Sequence, residues 1–309
     1  MTGRLVLLLT SPRLPAGVLT ADAWDALRRY PVFAAARHPQ VAAVEAAGVA
    51  VSLCADPLAG LPATGTAVWL AGPDGDPELA ADLAGRLGPD AVVRLVGSAD
   101  PPGVRLLDVV TVIDRLASPG GDPWKRAQTH QSLARFLLEE AYEAFDAIAA
   151  GDAGALREEL GDVLLQVVLH ARLAQQGPVP FTVDDVAGDL VDKLVRRNPH
   201  VFGAAGTIED LDAIVEQWEQ IKKAERARLS TLDGIAWSQP ALALAEKVLT
   251  RAARAGVAPP VPDGDGLGAR LLRAVVEAVA TGQDAEAELR AAVLGYAGAV
   301  RAAEAAGTG

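Results

Sequence analysis

The sequence lacks several features that mark secreted, membrane-bound and nucleic-acid-binding proteins. It has a single cysteine, Cys54, so no disulfide can form within the chain. No stretch approaches the roughly 18–20 apolar residues that a membrane-spanning helix needs. The chain has fewer basic residues than acidic ones, 28 Lys and Arg against 40 Asp and Glu. The resulting net charge of -12 repels nucleic-acid backbones and anionic membranes. We therefore expect a soluble, cytoplasmic protein that binds neither nucleic acid nor membrane.

Residues 1–118 have the alternating pattern of a small α/β domain. Short apolar runs typical of buried strands lie at 4–9, 49–53, 67–71 and 92–96. Helical patterns lie at 21–29 and 77–87. Strands that alternate with helices predict an α/β layer with a parallel sheet, and residues 105–116 fit either a strand or a helix. The run at 4–9 is too short for the core of a signal peptide.

A break rich in proline and glycine separates this region from a helical one. Residues 118–123 contain two glycines and two prolines, which end any helix or strand, so we place a domain boundary there. The long helical patterns beyond it lie at 128–150, 154–176, 183–197 and 207–229. They predict an all-α bundle over residues 119–229.

Residues 230–309 form an alanine-rich third segment with further helical patterns. These lie at 239–256, 267–281 and 284–306. Residues 257–266 are rich in proline and glycine and are interpreted as a flexible link. The predicted fold is thus mostly α, with the small α/β domain preceding two helical segments.

Carboxylates on two consecutive helices of the predicted bundle point to chemistry. Glu140 and Glu143 are three residues apart on the first helix. Glu159 and Asp162 have the same spacing on the second, so each helix presents a pair of carboxylates on one face. Antiparallel helices joined near Gly151 can bring the pairs together. Converging carboxylates in apolar surroundings are costly unless a cation accepts their charge, and Mg²⁺ prefers such oxygen ligands.

The spacing alone leaves a second interpretation open. A single pair of acidic residues three apart is more often the solvated face of an amphipathic helix. On spacing alone, a metal site and two solvated acidic faces therefore both remain open.

At these residues the sequence resembles the MazG family of nucleoside triphosphate pyrophosphohydrolases. The family pattern EExxE, a gap and ExxD occurs as Glu139-Glu140-Ala-Tyr-Glu143, a gap of fifteen residues, and Glu159-Leu-Gly-Asp162. Further matching motifs lie at 122–124, 128–133, 190–193, 196–202 and 217–222. The resemblance covers about residues 119–250.

The resemblance implies a site for a metal-bound triphosphate. Its Mg²⁺ ligands, with Mn²⁺ as a substitute, would be Glu140, Glu143, Glu159 and Asp162. Glu139 would accept a hydrogen bond beside them or position the attacking water. Basic and aromatic side chains would bind the triphosphate and the base, namely Lys193, Arg197, Trp218, Lys222 and Trp124. Basic groups donate to phosphate oxygens, and an indole offers a stacking face.

Other interpretations of the flanking residues stay open. Lys193 and Arg197 also fit surface cations that pair with nearby aspartates. Trp218 also fits a core position, and Trp124 fits packing at the start of a helix. His170 lies in an apolar run and is interpreted as a core histidine with a satisfied ring nitrogen.

Residues 271–295 resemble a degenerate copy of residues 137–165. Glu277 and Glu288 stand where the first copy has two of its carboxylates. The other positions hold Arg273, Ala274 and Ala291. Two carboxylates cannot hold the metal cluster, so we expect this segment to be structural, in packing or dimerisation.

Residues 1–118 resemble, more weakly, a shortened tetrapyrrole-methylase domain. No glycine-rich cofactor loop is present in this region, so we do not expect methyl transfer.

The expected reaction is Mg²⁺-dependent hydrolysis of nucleoside triphosphates to monophosphate and pyrophosphate by a homodimer or higher homo-oligomer. The family also implies removal of non-canonical or oxidised nucleotides. Three alternatives stay open: a narrower enzyme for dUTP or dCTP, a non-catalytic helical interaction protein, and a methyltransferase.

Overall fold

The computed structural model describes most of the chain, which separates into two compact units, Met1–Leu190 and Val191–Gly309. The described residues are 2–57, 64–72, 91–203, 230–257 and 259–307, with the single positions Leu79, Asp82, Leu83, Gly85, Arg86, Asp210, Ile214, Gln217 and Ile221. None of the helices in these ranges is long and apolar enough to cross a bilayer. The expected division at 1–118, 119–229 and 230–309 stays a prediction.

The first unit begins with a parallel sheet, as the alternating pattern predicts. Five strands lie in the spatial order β3-β2-β4-β1-β5, and every recorded pair is parallel. The strands are β1 Thr2–Leu9, β2 Val32–Ala34, β3 Val51–Leu53, β4 Thr64–Leu70 and β5 Val92–Val96. The helices between them include α1 Ala21–Arg29 and α2 Pro39–Ala46.

The sequence did not predict β2 or α2. The strand has only three residues, too few to show a period of two. The helix begins with Pro39 in its first turn. Proline at that position is a known signal for the start of a helix, but it was not used in the prediction. The predicted helix at 77–87 lies mostly outside the described residues, although Leu79 and Leu83 are helical.

The sheet is covered on both faces, which explains why β1 is continuously apolar. Leu5 and Leu7 pack with Trp69 in one buried cluster. Val6 and Leu8 pack on the opposite face with residues of α1 and α2. Successive side chains of a strand point to opposite faces, so a strand buried on both sides needs apolar residues at every position.

Residues 105–116, for which strand and helix were both open, are helical. Helix α3 spans Arg105–Ala117 and is tied to the sheet by ion pairs. The Arg13 guanidinium, just after β1, contacts Asp108 at 2.8 Å and Asp100 at 2.6 Å. The Arg13 hydrogen bond, followed by that of Arg105, holds the pKa of Asp108 below its usual range. An ion pair of Arg13 therefore connects the segment that follows β1 to α3.

The rest of the first unit is helical, and the predicted helices agree with the observed ones to within two residues. These helices are α4 Pro123–Arg126, α5 His130–Ala150, α6 Ala153–Ala174 and α7 Val183–Arg197. The short α4 was not predicted. Helix α7 continues past Leu190 into the second unit.

Local signals fix the ends of α5 and α6. At the start of α5, Thr129 and Ser132 form a capping box in which each hydroxyl oxygen accepts the other residue's backbone N–H. Helix α5 ends at Gly151, whose φ of 68° is left-handed and suits glycine. The Asp152 carboxylate then accepts the N–H groups of Gly154 and Ala155, and so begins α6. The two helices are joined by a tight turn.

Apolar packing makes α5 and α6 an antiparallel hairpin. Leu133, near the start of α5, packs in one buried cluster with Val168 and Leu169, near the end of α6. Ile113 of α3 belongs to the same cluster. An ion pair of 2.6 Å between the side chains of Arg172 and Asp114 reinforces the contact of α6 with α3.

The second unit contains the end of α7 and four further helices among the described residues, of which the short first one was not predicted and the other three lie at the predicted places. They are α8 Pro199–Phe202, α9 Ala241–Arg254, α10 Leu267–Thr281 and α11 Ala285–Gly307. The predicted helix at 207–229 lies outside the described residues except for single positions, of which Ile214, Gln217 and Ile221 are helical.

The break after α3 gives a first test of the fold. A Cβ added to Gly121 would lie 2.3 Å from the Arg115 carbonyl oxygen and 2.4 Å from that of Leu116. We expect Gly121→Ala to lower the free energy of unfolding by about 2 kcal/mol, because rigid backbone must shift. Urea titration followed by circular dichroism measures this change.

The matched control is Gly268→Ala, at a helical glycine whose added Cβ meets nothing within 4 Å. It should be neutral or stabilising by up to about 1 kcal/mol. Equal stability of the two variants would contradict the close approach at Gly121.

Candidate metal and nucleotide site

The α5–α6 hairpin brings three of the four predicted metal ligands together. Because the helices are antiparallel, Glu140 on α5 lies opposite Glu159 and Asp162 on α6. One carboxylate oxygen from each of these residues lies within 4.8 Å of the other two. All three side chains are half-buried, so they are not the fully solvated acidic faces that the spacing left open.

Glu143 and Glu139 lie outside this group of three. Glu143 is exposed, but it is close enough to Glu140 and Glu159 for its charge to raise the pKa of both. Glu139 is exposed at the neighbouring position of α5. Glu143 is therefore an edge member of the cluster, and Glu139 stands beside it on the same helix.

The electrostatics of the cluster favour bound protons or a cation. Desolvation, followed by the charges of Asp162 and Glu143, raises the pKa of Glu140 above its ordinary value. Desolvation, followed by the charges of Glu143 and Asp162, raises the pKa of Glu159 in the same way. Carboxylates that repel one another in partly dehydrated surroundings are stabilised when a cation binds between them.

The donor set fits a hard divalent cation. Carboxylate oxygens are the ligands that Mg²⁺ and Mn²⁺ prefer, and Mg²⁺ sites usually use a few carboxylates and leave positions for water or phosphate oxygens. Three converging carboxylates with an exposed fourth at the edge match that pattern. The described histidines and Cys54 do not join the group.

The predicted phosphate-binding residues fall outside the first unit. Lys193 and Arg197 lie on the part of α7 beyond Leu190, which belongs to the second unit. Trp218 and Lys222 lie outside the described residues. Their roles stay predictions.

Trp124, the other predicted nucleotide contact, packs at the start of α5 and keeps half of its surface exposed. Its ring meets Phe136 edge-to-face, with centroids 5.8 Å apart. Its exposed fraction is 51%. The interpretation that it packs at a helix start accounts for one edge of the ring, and the exposed half is still available to a ligand.

Gln166 is a residue of this region that the sequence interpretation missed. It is buried on α6, four residues after Asp162 and seven after Glu159, so it shares their face of the helix. A hydrogen-bonding interaction with its side chain lowers the pKa of Glu140 and opposes part of the upward shift. A polar residue at helical spacing from the acidic pair, inside an apolar run, was the available signal.

A histidine pair continues the same polar face of α6. The Nδ1 atoms of His130 and His170 are 2.8 Å apart, and the rings stack with centroids 5.1 Å apart. The Nδ1 atom of His170 therefore has a partner, as the sequence predicted, whereas its Nε2 atom is buried and has none among the described residues. Desolvation, followed by the charge of His130, lowers the pKa of His170.

The geometry defines a class of protein, a helical hairpin with a carboxylate site suited to a divalent cation. Comparison with known proteins agrees with this assignment. Residues 128–202 match the MazG nucleotide pyrophosphohydrolase domain. This segment contains α5, α6 and all five acidic residues discussed above.

Similarity to individual proteins extends beyond the matched domain. An uncharacterized 26.1 kDa protein of Streptomyces cacaoi is 50% identical over 241 residues, which cover 75% of this chain and 98% of that protein. A nucleoside triphosphate pyrophosphohydrolase of Mycolicibacterium smegmatis is 48% identical over 220 residues, which cover 69% of this chain. The chain spans 64% of the length of that relative.

A solved structure of a MazG-related protein from Thermotoga maritima is also similar. Its identity is 27% and its TM-score 0.32, with 38% of this chain and 97% of the other covered. Through its domain at residues 128–202 the chain belongs to the MazG family. Relatives that are 48% and 44% identical to it are named nucleoside triphosphate pyrophosphohydrolases.

The repulsion in the cluster gives a test by thermal melting. A carboxyl whose pKa is raised in the folded state adds stability below its unfolded pKa of about 4.3, and this stability is lost as the pH rises through the raised pKa. At pH 8 without divalent metal, Glu159→Gln should therefore melt a few degrees higher than the wild type. The rise in melting temperature on adding Mg²⁺ should disappear.

Glu277→Gln is the matched control, because Glu277 lies on α10 outside the cluster. It should keep the wild-type response to Mg²⁺. A metal-free Glu159→Gln variant that melts lower at pH 8 and still responds to Mg²⁺ would rule out the repulsive cluster.

Proposed function

We propose that this protein hydrolyses nucleoside triphosphates to nucleoside monophosphate and pyrophosphate in a Mg²⁺-dependent reaction. One observation carries the proposal: Glu140, Glu159 and Asp162 converge across a helical hairpin inside the MazG-matching segment. The names of several relatives support the same reaction.

In this proposal the metal site consists of Glu140, Glu143, Glu159 and Asp162. Bound Mg²⁺, or Mn²⁺ in its place, would neutralise phosphate charge and activate water for hydrolysis between the α- and β-phosphates. Glu143 would complete the site from the edge, where its charge already acts on Glu140 and Glu159. Glu139 would accept a hydrogen bond from water beside the ligands or would position the attacking water.

The remaining predicted side chains would bind the rest of the substrate. Lys193, Arg197 and Lys222 would donate to phosphate oxygens, because ammonium and guanidinium groups bind these strongly. Trp218 and Trp124 would contact the base, and the exposed half of Trp124 is consistent with that role. Because these groups would contact the base and phosphates, they would decide between a broad enzyme, a house-cleaning enzyme for altered nucleotides and a narrower dUTP or dCTP enzyme.

We also propose that residues 119–229 form the catalytic domain and that residues 230–309 form a degenerate second copy. Both regions contain two long helices joined at a left-handed glycine, Gly151 with φ 68° and Gly282 with φ 72°. The second copy lacks the acidic set. Among the described residues, the group formed by Glu140, Glu159 and Asp162 is the one suited to a metal ion.

The outer face of α5 supports a homo-oligomer. Leu138 and Tyr142 lie on the side of α5 opposite buried Leu133 and are 55% and 44% exposed. A helix that is apolar on two faces usually packs against two neighbours. We propose that a second copy of the chain covers this face.

Product analysis tests the reaction. Asp162→Asn keeps the shape of the side chain but removes a charged ligand, and we expect pyrophosphate release to fall at least about 100-fold. The purified protein is incubated with Mg²⁺ and each of eight common triphosphates, and nucleotides and pyrophosphate are separated by ion-exchange chromatography. Glu277→Gln should retain wild-type activity.

Pyrophosphate release by Asp162→Asn at the wild-type rate would remove the assigned site. Release of phosphate and nucleoside diphosphate in place of pyrophosphate would contradict the proposed reaction. Inactivity of the wild type toward the whole panel, with no change in melting temperature on adding Mg²⁺ and a non-hydrolysable triphosphate, would favour a non-catalytic interaction protein.

The oligomer is tested by light scattering coupled to size exclusion. Leu138→Glu should shift the protein from dimer or larger toward monomer at micromolar concentration, because it places a charge in the proposed interface. Leu106→Glu, at a 53% exposed position of α3, should leave the mass unchanged. A monomeric wild type would contradict the proposed interface.

A further inference from the structure

Gln166 occupies a place that packing alone does not explain. It is only 3% exposed and stands in the run Leu164-Leu165-Gln166-Val167-Val168, where each neighbour is apolar. A buried amide costs stability unless both its oxygen and its nitrogen find partners. An apolar side chain of the same length would fill the position without that cost.

Half of the Gln166 amide is unpaired. In the part of the chain that the structure describes, its Oε1 atom has no hydrogen-bond partner. Across the hairpin on α5, Glu140 is close enough for the Gln166 side chain to lower the pKa of its carboxyl. Gln166 is therefore a buried amide with an unpaired oxygen, and it lies beside a carboxylate of the proposed metal site.

The position of Gln166 along α6 fits a supporting role. Asp162 is one turn earlier and Glu159 two turns earlier on the same face, so the amide lies directly beside the cluster at its buried end. Residues that hydrogen-bond to metal ligands fix the orientation of those ligands before the ion binds. An amide can do this for a carboxylate without adding charge to a cluster that is already repulsive.

We propose that Gln166 is a positioning residue, which holds the Glu140 carboxylate so that its oxygen converges with those of Glu159 and Asp162. Its amide fixes the direction of that carboxylate before the ion binds, although its own Oε1 atom stays buried and unpaired among the described residues. This inference rests on the proposed function, since it concerns the same metal site.

The test compares metal affinity with metal-free stability in Gln166→Met. Methionine has the same length and fits apolar surroundings but lacks the amide. We expect Mn²⁺ to bind about 10–100-fold more weakly, measured by calorimetry at pH 7.5, because an outer-shell partner of a ligand is lost. The metal-free melting temperature should stay the same or rise, because a buried unpaired oxygen is removed.

Gln175→Met is the matched control, since Gln175 is exposed at the C-terminal end of the same helix. It should leave the Mn²⁺ affinity unchanged. Equal Mn²⁺ affinity of wild type and Gln166→Met would overturn this inference alone. A weaker affinity accompanied by a lower metal-free melting temperature would also overturn it, because loss of packing would explain both. Absence of Mn²⁺ and Mg²⁺ binding by the wild type would overturn the inference and the metal dependence of the proposed function together.

Discussion

Repulsion among carboxylates, held close by apolar packing, is the interaction on which the site depends. Glu140, Glu159 and Asp162 converge because α5 and α6 are locked in register by Leu133 and Leu169 at the far end of the hairpin. In the metal-free protein, desolvation and the repulsion between these carboxylates disfavour the charged form of Glu140, which is why its pKa is raised. A divalent cation between the carboxylates neutralises their repulsion. The packing that holds the like charges close together therefore also prepares them to bind metal.

The surrounding structure stabilises this hairpin from one side. Helix α3 packs on α6 through Ile113 and through the ion pair of Asp114 with Arg172. The other end of α3 is anchored to the sheet through Arg13 and Asp108. Within the first unit, the sheet therefore acts as a support for α6, the helix that carries Glu159, Asp162 and the buried amide. Ligand positions on rigid, well-packed helices are better defined than ligand positions on loops.

The features that the sequence predicted well are local ones. The ends of α5 and α6 follow from the Thr129 capping box, the left-handed turn at Gly151 and the Asp152 cap, all of which depend on nearby residues. The helical spacing of the acidic pairs likewise predicted which side chains share a face. The three-residue strand β2 was missed because its strand character comes from pairing with β3 and β4, which are distant in sequence.

The sequence was less informative about contacts between helices. It could not show that Glu143 stands at the edge while Glu140 joins the group of three, because that depends on the rotation of α5 against α6. It interpreted His170 correctly as a histidine with a partner but did not identify His130 as that partner, 40 residues away. Gln166 was missed for the same reason: its helical spacing from the acidic pair was a signal, but its link to the site depends on Glu140 of the opposite helix.

We propose that the α5–α6 hairpin gathers its carboxylates around a divalent cation. The most direct measurement is a crystal structure of the protein soaked with Mn²⁺, with the ion located by anomalous scattering. We expect a peak within bonding distance of Glu140, Glu159 and Asp162. A map with no peak between α5 and α6, and with the three carboxylates turned apart into solvent, would contradict this proposal.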